Sequence, residues 1–301
     1  MEVVLGSPRG FCAGVVRAIE IVELSLQQFG RPVYVRHEIV HNPHVVADLR
    51  KKGAVFVDEL DQVPSGQLVI FSAHGVPPTI REKAKLRGLQ VIDATCPLVT
   101  KVHFEALKYA KEGYTVILVG HRGHPETIGT SGEAPKQTIV VETEKDVQSI
   151  VVQDAEKVVV LTQTTLSVDD TAGIVGLLKA RFPKLVVRND ICYATSNRQL
   201  TAKALAREVD VVIVIGARNS SNCTRLREVV ETMGVSALMV NGPEELDLDR
   251  FAGISRIGIV SGASTPESLV EQVVVKLKPK SVVRIETVRE NVTFSLPAEL
   301  K

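Results

Sequence analysis

The sequence has almost no net charge and no long apolar run, and each absence excludes a class of protein. The formal net charge is +1 over 301 residues, whereas nucleic-acid-binding proteins usually carry a basic face and a high isoelectric point. No apolar run approaches the ~18 residues of a transmembrane helix, and the N-terminus lacks the pattern of a signal peptide. We therefore expect a cytoplasmic protein that binds neither nucleic acid nor membranes.

The chain has only four cysteines, and their spacing excludes several common uses. Structural disulfides are not expected in a cytosolic protein. No two cysteines form a C-x-x-C pair, which excludes a zinc ribbon and a thioredoxin motif. The patterns G-x-x-x-x-G-K-[ST] and G-x-G-x-x-G are also absent, which disfavours a P-loop or a dinucleotide site.

Short β-branched strands alternate with helices along the whole chain. The predicted strands include 68–71, 115–119, 138–141 and 211–215, the second and third of them without a helix between, and one helix is predicted from about Asn197. This alternation predicts parallel sheets that are covered by helices on both faces. The segments fall into three comparable blocks of roughly 90 residues each. We predict an α/β protein with three similar domains and a C-terminal arm that packs across another domain, with these boundaries: 14–96, 97–190, 191–280 together with 1–13, and the arm 281–301. The arm has two strand-like segments, 282–285 and 292–294.

Three of the cysteines occupy equivalent positions, in turns that connect a strand to a helix. They are Cys12 after Val3–Leu5, Cys96 after Leu89–Ile92, and Cys192 after Leu185–Val187. Because ligands bind beyond the carboxyl ends of parallel strands, we predict that these cysteines converge on one metal centre. Buried cysteines that pack as small hydrophobic residues would explain their number, but not their shared position.

Three thiolates are one fewer than a [4Fe–4S] cluster usually receives. With three, one iron stays open to a substrate, as a catalytic zinc keeps one open position. Zinc with three thiolates and one histidine remains an alternative when only the ligands are counted.

Hydroxyl, amide and imidazole groups follow other strands. The turn 219–222 precedes a helix, where free backbone N–H groups favour an anion, and the turn 264–266 repeats the pattern. Simple N-capping would explain either turn alone. The two turns together with His41, His74 and His124 favour a phosphate or diphosphate site.

Glu126 lies beside His124 and is a candidate proton donor, provided that burial raises its pKa. A solvated loop carboxylate is the alternative. Thr164 belongs to a Thr-Gln-Thr-Thr run, and its hydroxyl could bind a substrate hydroxyl or only cap the next helix.

Eight motifs, spread in order from about residue 3 to 275, resemble a single known family. They are PRGFCAGV (8–15), VRHEIVHN (35–42), FSAHGV (71–76), DATCPLVTKVH (93–103), GHRGHPE (120–126), TQTTLS (162–167), DICYATSNRQ (190–199) and NSSN (219–222). The chain resembles the 4-hydroxy-3-methylbut-2-enyl diphosphate reductases (the LytB/IspH family), which act last in the non-mevalonate isoprenoid pathway.

The resemblance implies three α/β domains arranged with pseudo-threefold symmetry around a central cavity. It also implies a [4Fe–4S] cluster held by Cys12, Cys96 and Cys192, with one open iron. Electrons from ferredoxin or flavodoxin would convert the substrate to isopentenyl and dimethylallyl diphosphates by reductive dehydroxylation.

The resemblance also implies roles for individual residues. Glu126 would donate the proton, and Thr164 would contact the substrate hydroxyl and Glu126. The diphosphate would be held by His41, His74, His124, Ser220, Ser221, Asn222 and Ser264. Cys223 would have no part in the cluster. The alternative is a zinc-dependent or metal-free protein that binds phosphate esters without redox chemistry.

Overall fold

The protein contains three parallel β-sheets and ten α-helices. The computed structural model describes the whole chain, Met1–Lys301. The strands are β1 (Glu2–Ser7), β2 (Val33–Arg36), β3 (Ala54–Val57), β4 (Leu68–Phe71), β5 (Gln90–Asp93), β6 (Thr115–Val119), β7 (Thr138–Val141), β8 (Val158–Thr162), β9 (Val186–Val187), β10 (Val211–Ile215), β11 (Ser236–Val240), β12 (Arg256–Ser261) and β13 (Ser281–Glu286).

The helices connect successive strands. They are α1 (Ala13–Phe29), α2 (Pro43–Lys52), α3 (Pro78–Leu86), α4 (Pro97–Lys111), α5 (Pro125–Glu133), α6 (Glu144–Ser149), α7 (Val168–Arg181), α8 (Tyr193–Ala206), α9 (Ser221–Thr232) and α10 (Glu267–Leu277). None of them is long and apolar enough to cross a membrane.

All three sheets have the same strand order. The orders are β3-β2-β4-β5, β7-β6-β8-β9 and β11-β10-β12-β1, with β13 added beside β1 in the last sheet. Every strand pairing is parallel. The prediction of an α/β fold with three parallel sheets is therefore confirmed.

The shared order creates a topological switch point in each sheet. The chain moves to one side after the first strand and to the other side after the third, so the turns after these two strands diverge and leave a crevice. The switch points lie between β2 and β4, between β6 and β8, and between β10 and β12.

The strands form because their apolar runs are buried on both faces. In the five-stranded sheet, Val3, Ile213 and Ile257 pack into one cluster, whereas Val4 and Val212 pack into another on the opposite face. Side chains alternate between the two faces of a strand. A continuous β-branched run is therefore stable only where helices cover both sides of the sheet.

The chain divides into two compact units. Unit 1 comprises 1–15, 41–45 and 192–293 and contains the five-stranded sheet; unit 2 comprises 16–40, 46–191 and 294–301 and contains both four-stranded sheets. Each four-stranded sheet lies within one predicted domain segment, and the five-stranded sheet lies within the third segment except for β13, which belongs to the predicted arm. The division into three domains stays a prediction.

The structure corrects the prediction for the C-terminal arm. Its first part is strand β13, which pairs with β1 and so extends the sheet of unit 1. The predicted strand at 292–294 does not form. The last residues instead accept hydrogen bonds from α1, where Arg17 Nε donates to the Ser295 carbonyl at 2.8 Å.

Helix α5 was not anticipated, since the sequence pattern indicated only two successive strands, β6 and β7. Its segment PETIGTSGE holds two glycines and one large apolar residue, which is a poor helix signal. The glycines serve packing: a Cβ at Gly132 would lie 2.4 Å from Pro77 Cβ. Helix α8 also starts four residues before the predicted Asn197, with Cys192 at its N-cap position.

Candidate active site

The predicted site residues follow a simple rule of position within the three sheets. The predicted anion-binding residues, together with Glu126 and Thr164, follow the two strands that flank a switch point. The three cysteines follow the fourth strand in the order that the three sheets share. The anion and acid residues are His41 after β2, His74 after β4, His124 and Glu126 after β6, Thr164 after β8, Ser220, Ser221 and Asn222 after β10, and Ser264 after β12. The cysteines are Cys96 after β5, Cys192 after β9 and Cys12 after β1.

Glu126 is buried at the start of α5 and is held by Thr164 in unit 2. The backbone N–H of Thr164 donates to Glu126 Oε1 at 2.6 Å, and its hydroxyl donates to Oε2 at 3.0 Å. Glu126 is 3% exposed, which rules out the solvated carboxylate. Both carboxyl oxygens thus have a donor from the turn after the neighbouring strand.

Burial raises the pKa of Glu126 to about 7. The two hydrogen bonds from Thr164 favour the ionised form and oppose this rise, whereas the negative charge of Asp190 adds to it. Desolvation is the largest effect, because a charged carboxylate loses its hydration when it is buried. The carboxyl group therefore exchanges its proton near neutral pH, as a general acid requires.

His74 and His124 lie edge to face, with ring centroids 5.8 Å apart. His124 caps α5 by accepting the backbone N–H of Glu126 on Nδ1 at 3.2 Å. In the neutral ring the hydrogen is then on Nε2, which can donate to an anion. Ser72 Oγ lies 3.2 Å from His74 Nδ1 and orients that ring.

His103, which the sequence analysis left outside the site, packs between the elements that carry these groups. A Cβ on Gly75 would lie 3.0 Å from His103 Nε2, and a Cβ on Gly129 of α5 would lie 3.1 Å from it. Glu133 Oε1 lies 2.8 Å from His103 Nδ1. The two glycines let this ring lie against both the His74 turn and the Glu126 helix.

The turn before α9 is the predicted anion site of unit 1. Ser220 caps the helix, with its Oγ accepting the N–H of Cys223 at 3.4 Å. Asn222 is 5% exposed, and neither its Oδ1 nor its Nδ2 has a hydrogen-bond partner. An unsatisfied buried amide is costly, so this turn is built to receive a polar ligand.

The turn after β12 adjoins the anion site. Gly262 N donates to the Ile215 carbonyl at 3.0 Å, and a Cβ on Gly262 would lie 3.6 Å from Asn222 Nδ2. Ser264 Oγ donates to the His41 carbonyl at 3.1 Å. The structure therefore brings Asn222, Ser264 and His41 together within unit 1.

Cys223 lies beneath both turns and packs as a small apolar residue. Its Sγ would be only 2.3 Å and 2.2 Å from a Cβ on Gly216 and Gly262. Burial raises the pKa of its thiol to about 11. A neutral thiol enclosed in this way is not a metal ligand.

The three predicted cluster cysteines are half-buried and free of disulfides. Cys96 and Cys192 cap α4 and α8, and Cys12 immediately precedes α1. Helix N-termini favour negative charge, and thiolates are the ligands of iron–sulfur clusters, so this donor set fits such a cluster. Cys12 and Cys192 belong to unit 1 and Cys96 to unit 2, and within neither unit do three or more His, Cys, Asp or Glu side chains form a metal-binding group.

Two residues near the cysteines had no signal in the sequence. Tyr193 Oη accepts the N–H of Ala13 at 3.4 Å, and burial raises the pKa of Tyr193 to about 12, with smaller effects of Cys12 and Cys192. Arg17 donates to the Thr95 carbonyl at 3.1 Å; burial lowers its pKa, and the negative charge of Cys96 opposes that change. Only tertiary contacts reveal these residues.

Comparison with known proteins supports the resemblance. A family model described as LytB protein matches residues 3–278. The 4-hydroxy-3-methylbut-2-enyl diphosphate reductase 2 of Burkholderia mallei is 53% identical over 99% of this chain and 93% of its own length. The reductase of Aromatoleum aromaticum is 54% identical over 100% of this chain and 98% of its own length.

The fold also matches a solved structure. The E-1-hydroxy-2-methyl-but-2-enyl-4-diphosphate reductase of Plasmodium falciparum superimposes with a TM-score of 0.96 at 41% identity. The alignment covers 100% of this chain and 96% of that protein.

Proposed function

This chain belongs to the LytB protein family, and we propose that it carries out the reaction for which its relatives are named. The enzyme reduces 4-hydroxy-3-methylbut-2-enyl diphosphate, the terminal reaction of the non-mevalonate pathway. Two electrons and two protons convert each substrate molecule to water and either isopentenyl or dimethylallyl diphosphate.

The diphosphate group is the part of the substrate that does not react. His41, Ser220, Ser221, Asn222 and Ser264 bind it, and His74 and His124 add imidazole donors. The unpartnered amide of Asn222 supports this role, because a phosphate oxygen and a bridging water would satisfy it. Binding energy from this group positions the allylic carbons for reaction.

Glu126 supplies the proton, and Thr164 connects it to the substrate hydroxyl. With a pKa of about 7, about half of the Glu126 carboxyls are protonated at neutral pH. A protonated Glu126 donates to Thr164 Oγ1, and the Thr164 hydroxyl donates to the departing oxygen. The N–H of Thr164 then stabilises the carboxylate that remains.

The LytB family is one of iron–sulfur enzymes, and Cys12, Cys96 and Cys192 would hold a [4Fe–4S] cluster with one open iron. Such a cluster supplies electrons and a Lewis acid for an allylic C–O bond. Ferredoxin or flavodoxin would deliver the electrons, and a cytoplasmic location is part of the same proposal.

The observation that carries this function is the buried Glu126 carboxyl, bonded to Thr164 through both oxygens, in a chain of this family. The test is anaerobic: iron and sulfide per chain, the visible spectrum, and the formation of both diphosphate products with a reduced dye as electron donor. About four irons per chain and dye-dependent turnover would support the proposal. Zinc in a colourless protein without turnover would favour the phosphate-ester-binding alternative.

A further inference from the structure

Arg198 is the largest of the fully buried side chains in the protein, and it lies in α8, shortly after Cys192. Its side chain is 1% exposed. Arginine is almost never fully buried unless its charge is paired. A guanidinium in this position therefore needs specific partners, and these partners define what it holds together.

The Arg198 guanidinium joins the start of its own helix to two other segments of unit 1. Nη2 donates to the Gly10 carbonyl at 2.8 Å, in the turn that carries Cys12. Nη1 donates to the Ala194 carbonyl at 3.0 Å, in the first turn of α8 after Cys192. Nη1 also lies 2.9 Å from Glu290 Oε1, in the segment that follows β13.

The Cys12 turn is held at both sides of the peptide group that Arg198 contacts. Gly10 N donates to Ser261 Oγ at 2.9 Å, and Gly10 adopts a left-handed φ of 73° that favours glycine. Cys12 N donates to the Ala263 carbonyl at 3.1 Å. The backbone on either side of Phe11 is thus hydrogen-bonded to the turn after β12, and Arg198 supplies its link to α8.

The segment 287–290 attaches to the end of β1 and to α8 independently of Arg198. Thr287 N donates to the Ser7 carbonyl at 3.0 Å, and Thr287 Oγ1 lies 2.7 Å from Thr201 Oγ1 of α8. Glu290 Oε1 accepts a second hydrogen bond, from Asn197 Nδ2 at 3.2 Å. This segment therefore places a carboxylate where it neutralises the buried guanidinium.

We infer that Arg198 and Glu290 form a buried clamp that fixes the Cys12 turn to the start of the Cys192 helix, and so determines how firmly the protein retains its metal centre. Both are positioning residues, because they act through the backbone that carries the cysteines. The inference deepens the proposed function, since it rests on Cys12 and Cys192 being cluster ligands.

The test compares Arg198→Gln, Arg198→Lys and Glu290→Gln in the full-length, anaerobically purified protein. The first readout is the rate at which an iron chelator removes iron. The second is amide hydrogen exchange of the peptides that contain Gly10, Cys12 and Ala13. Arg256→Gln is the matched control, because it removes an Arg–Glu pair (2.9 Å to Glu2) at the opposite end of the same sheet.

We expect Arg198→Gln to release iron at least about tenfold faster than wild type and to lose protection of the Cys12 and Ala13 amides. Glu290→Gln keeps the bonds to Gly10 and Ala194, so its effects are in the same direction and smaller. Arg198→Lys keeps the charge but cannot reach all three partners. Its rates of iron release and amide exchange should lie between those of Arg198→Gln and Glu290→Gln. Arg256→Gln behaves as wild type in both readouts.

Iron release and amide exchange at wild-type rates in Glu290→Gln and in folded Arg198→Gln would overturn the clamp. If Arg198→Gln does not fold, Glu290→Gln decides the question alone. A wild-type protein without iron would contradict the proposed function instead, and amide exchange at the Cys12 turn would still test the clamp.

Discussion

Asn222 of unit 1 and Glu126 of unit 2 are both buried polar side chains in the first turn of a helix, but their hydrogen bonding is opposite. Both polar atoms of the Asn222 side chain lack a partner. Both oxygens of Glu126 accept hydrogen bonds from Thr164. Each helix follows the first strand of its sheet, so the same topology produces two different kinds of site.

The difference indicates what each site is built to do. A buried amide without partners costs about 1–3 kcal/mol, and a ligand that satisfies it recovers this free energy as affinity. A carboxyl group whose partners all come from the protein has no such deficit. The surroundings of such a carboxyl group set its pKa, and a pKa near the working pH allows the group to transfer a proton.

Glu126→Gln removes the acidic group and has the largest expected effect. Glutamine fills the same space but cannot release a proton, so turnover should fall by about 10²–10⁴-fold. KM and the iron content should stay near wild type, because binding and metal ligation use other residues. Steady-state kinetics under anaerobic conditions check this, with Glu112→Gln at the exposed end of α4 as control. Near-normal turnover would refute the proton-donor role.

Stability should also depend on pH through Glu126. Its folded pKa of about 7 exceeds the value of about 4.3 in an unfolded chain. Between these values the folded protein binds more protons than the unfolded protein, so the free energy of unfolding falls as pH rises. Above the folded pKa the buried, ionised Glu126 destabilises the folded protein to the full extent, and below the unfolded pKa this destabilisation is absent.

Glu126→Gln lacks this penalty. Relative to wild type, the variant should gain on the order of 3 kcal/mol between about pH 4 and pH 8. Denaturant unfolding at several pH values measures the gain. A difference that is constant with pH would show that Glu126 titrates normally. Wild-type turnover should decline as pH rises through about 7, because the acid must be protonated.

Asn222→Ala tests whether the buried amide of Asn222 binds the diphosphate. Loss of the amide should raise KM about tenfold while kcat changes little, because the diphosphate does not react. Stability without substrate should not fall, since the variant buries no unpartnered amide. In the control Asn241→Ala, the lost amide donates to Glu245 at 2.8 Å outside the anion site, and KM should not change. A lower melting temperature at unchanged KM would assign Asn222 a structural role.

Thr164→Val removes the hydroxyl that donates a hydrogen bond to Glu126 Oε2. Both Thr164 hydrogen bonds lower the Glu126 pKa, so loss of the hydroxyl should raise this pKa further. The decline of turnover should then occur at higher pH, together with a lower kcat. Thr127→Val is the control, since the Thr127 hydroxyl donates to Gln163 and not to Glu126. A pH profile that does not move would exclude this contribution of Thr164.

Cys223→Ser should have the smallest effect. The neutral, enclosed thiol is not a ligand, so iron content and turnover should be retained. A slight loss of stability, of about 1 kcal/mol, is expected because a hydroxyl replaces a packed thiol. Iron analysis and thermal unfolding check both points, and loss of iron would contradict our assignment.

Local pattern was sufficient to predict most of the secondary structure. Strands β4, β6, β7 and β10 have the predicted boundaries, because apolar β-branched runs between turn residues have few other stable conformations. Helix α5 was not predicted, because its two glycines have low helix propensity. They allow close contacts with Pro77 and His103 instead. The segment 292–294 likewise forms no strand, although its local pattern predicted one.

The positions of the candidate site residues after the strands could be predicted, but their burial and hydrogen bonds could not. Chain order placed polar groups after strands, and parallel strands bring such turns to one edge of a sheet. The burial of Glu126 and its bonds to Thr164 depend on residues 38 positions apart. No local pattern gives the resulting pKa.

By itself, the sequence determined the three parallel sheets, the family and the residue types at the strand ends, because strand periodicity and motifs are local properties. Only the tertiary structure decided that Glu126 is buried, that Asn222 lacks partners, and that Arg198 joins Gly10 to Glu290. Burial and long-range hydrogen bonds depend on which segments meet in space, and the same residue type has a different pKa and a different role in each environment.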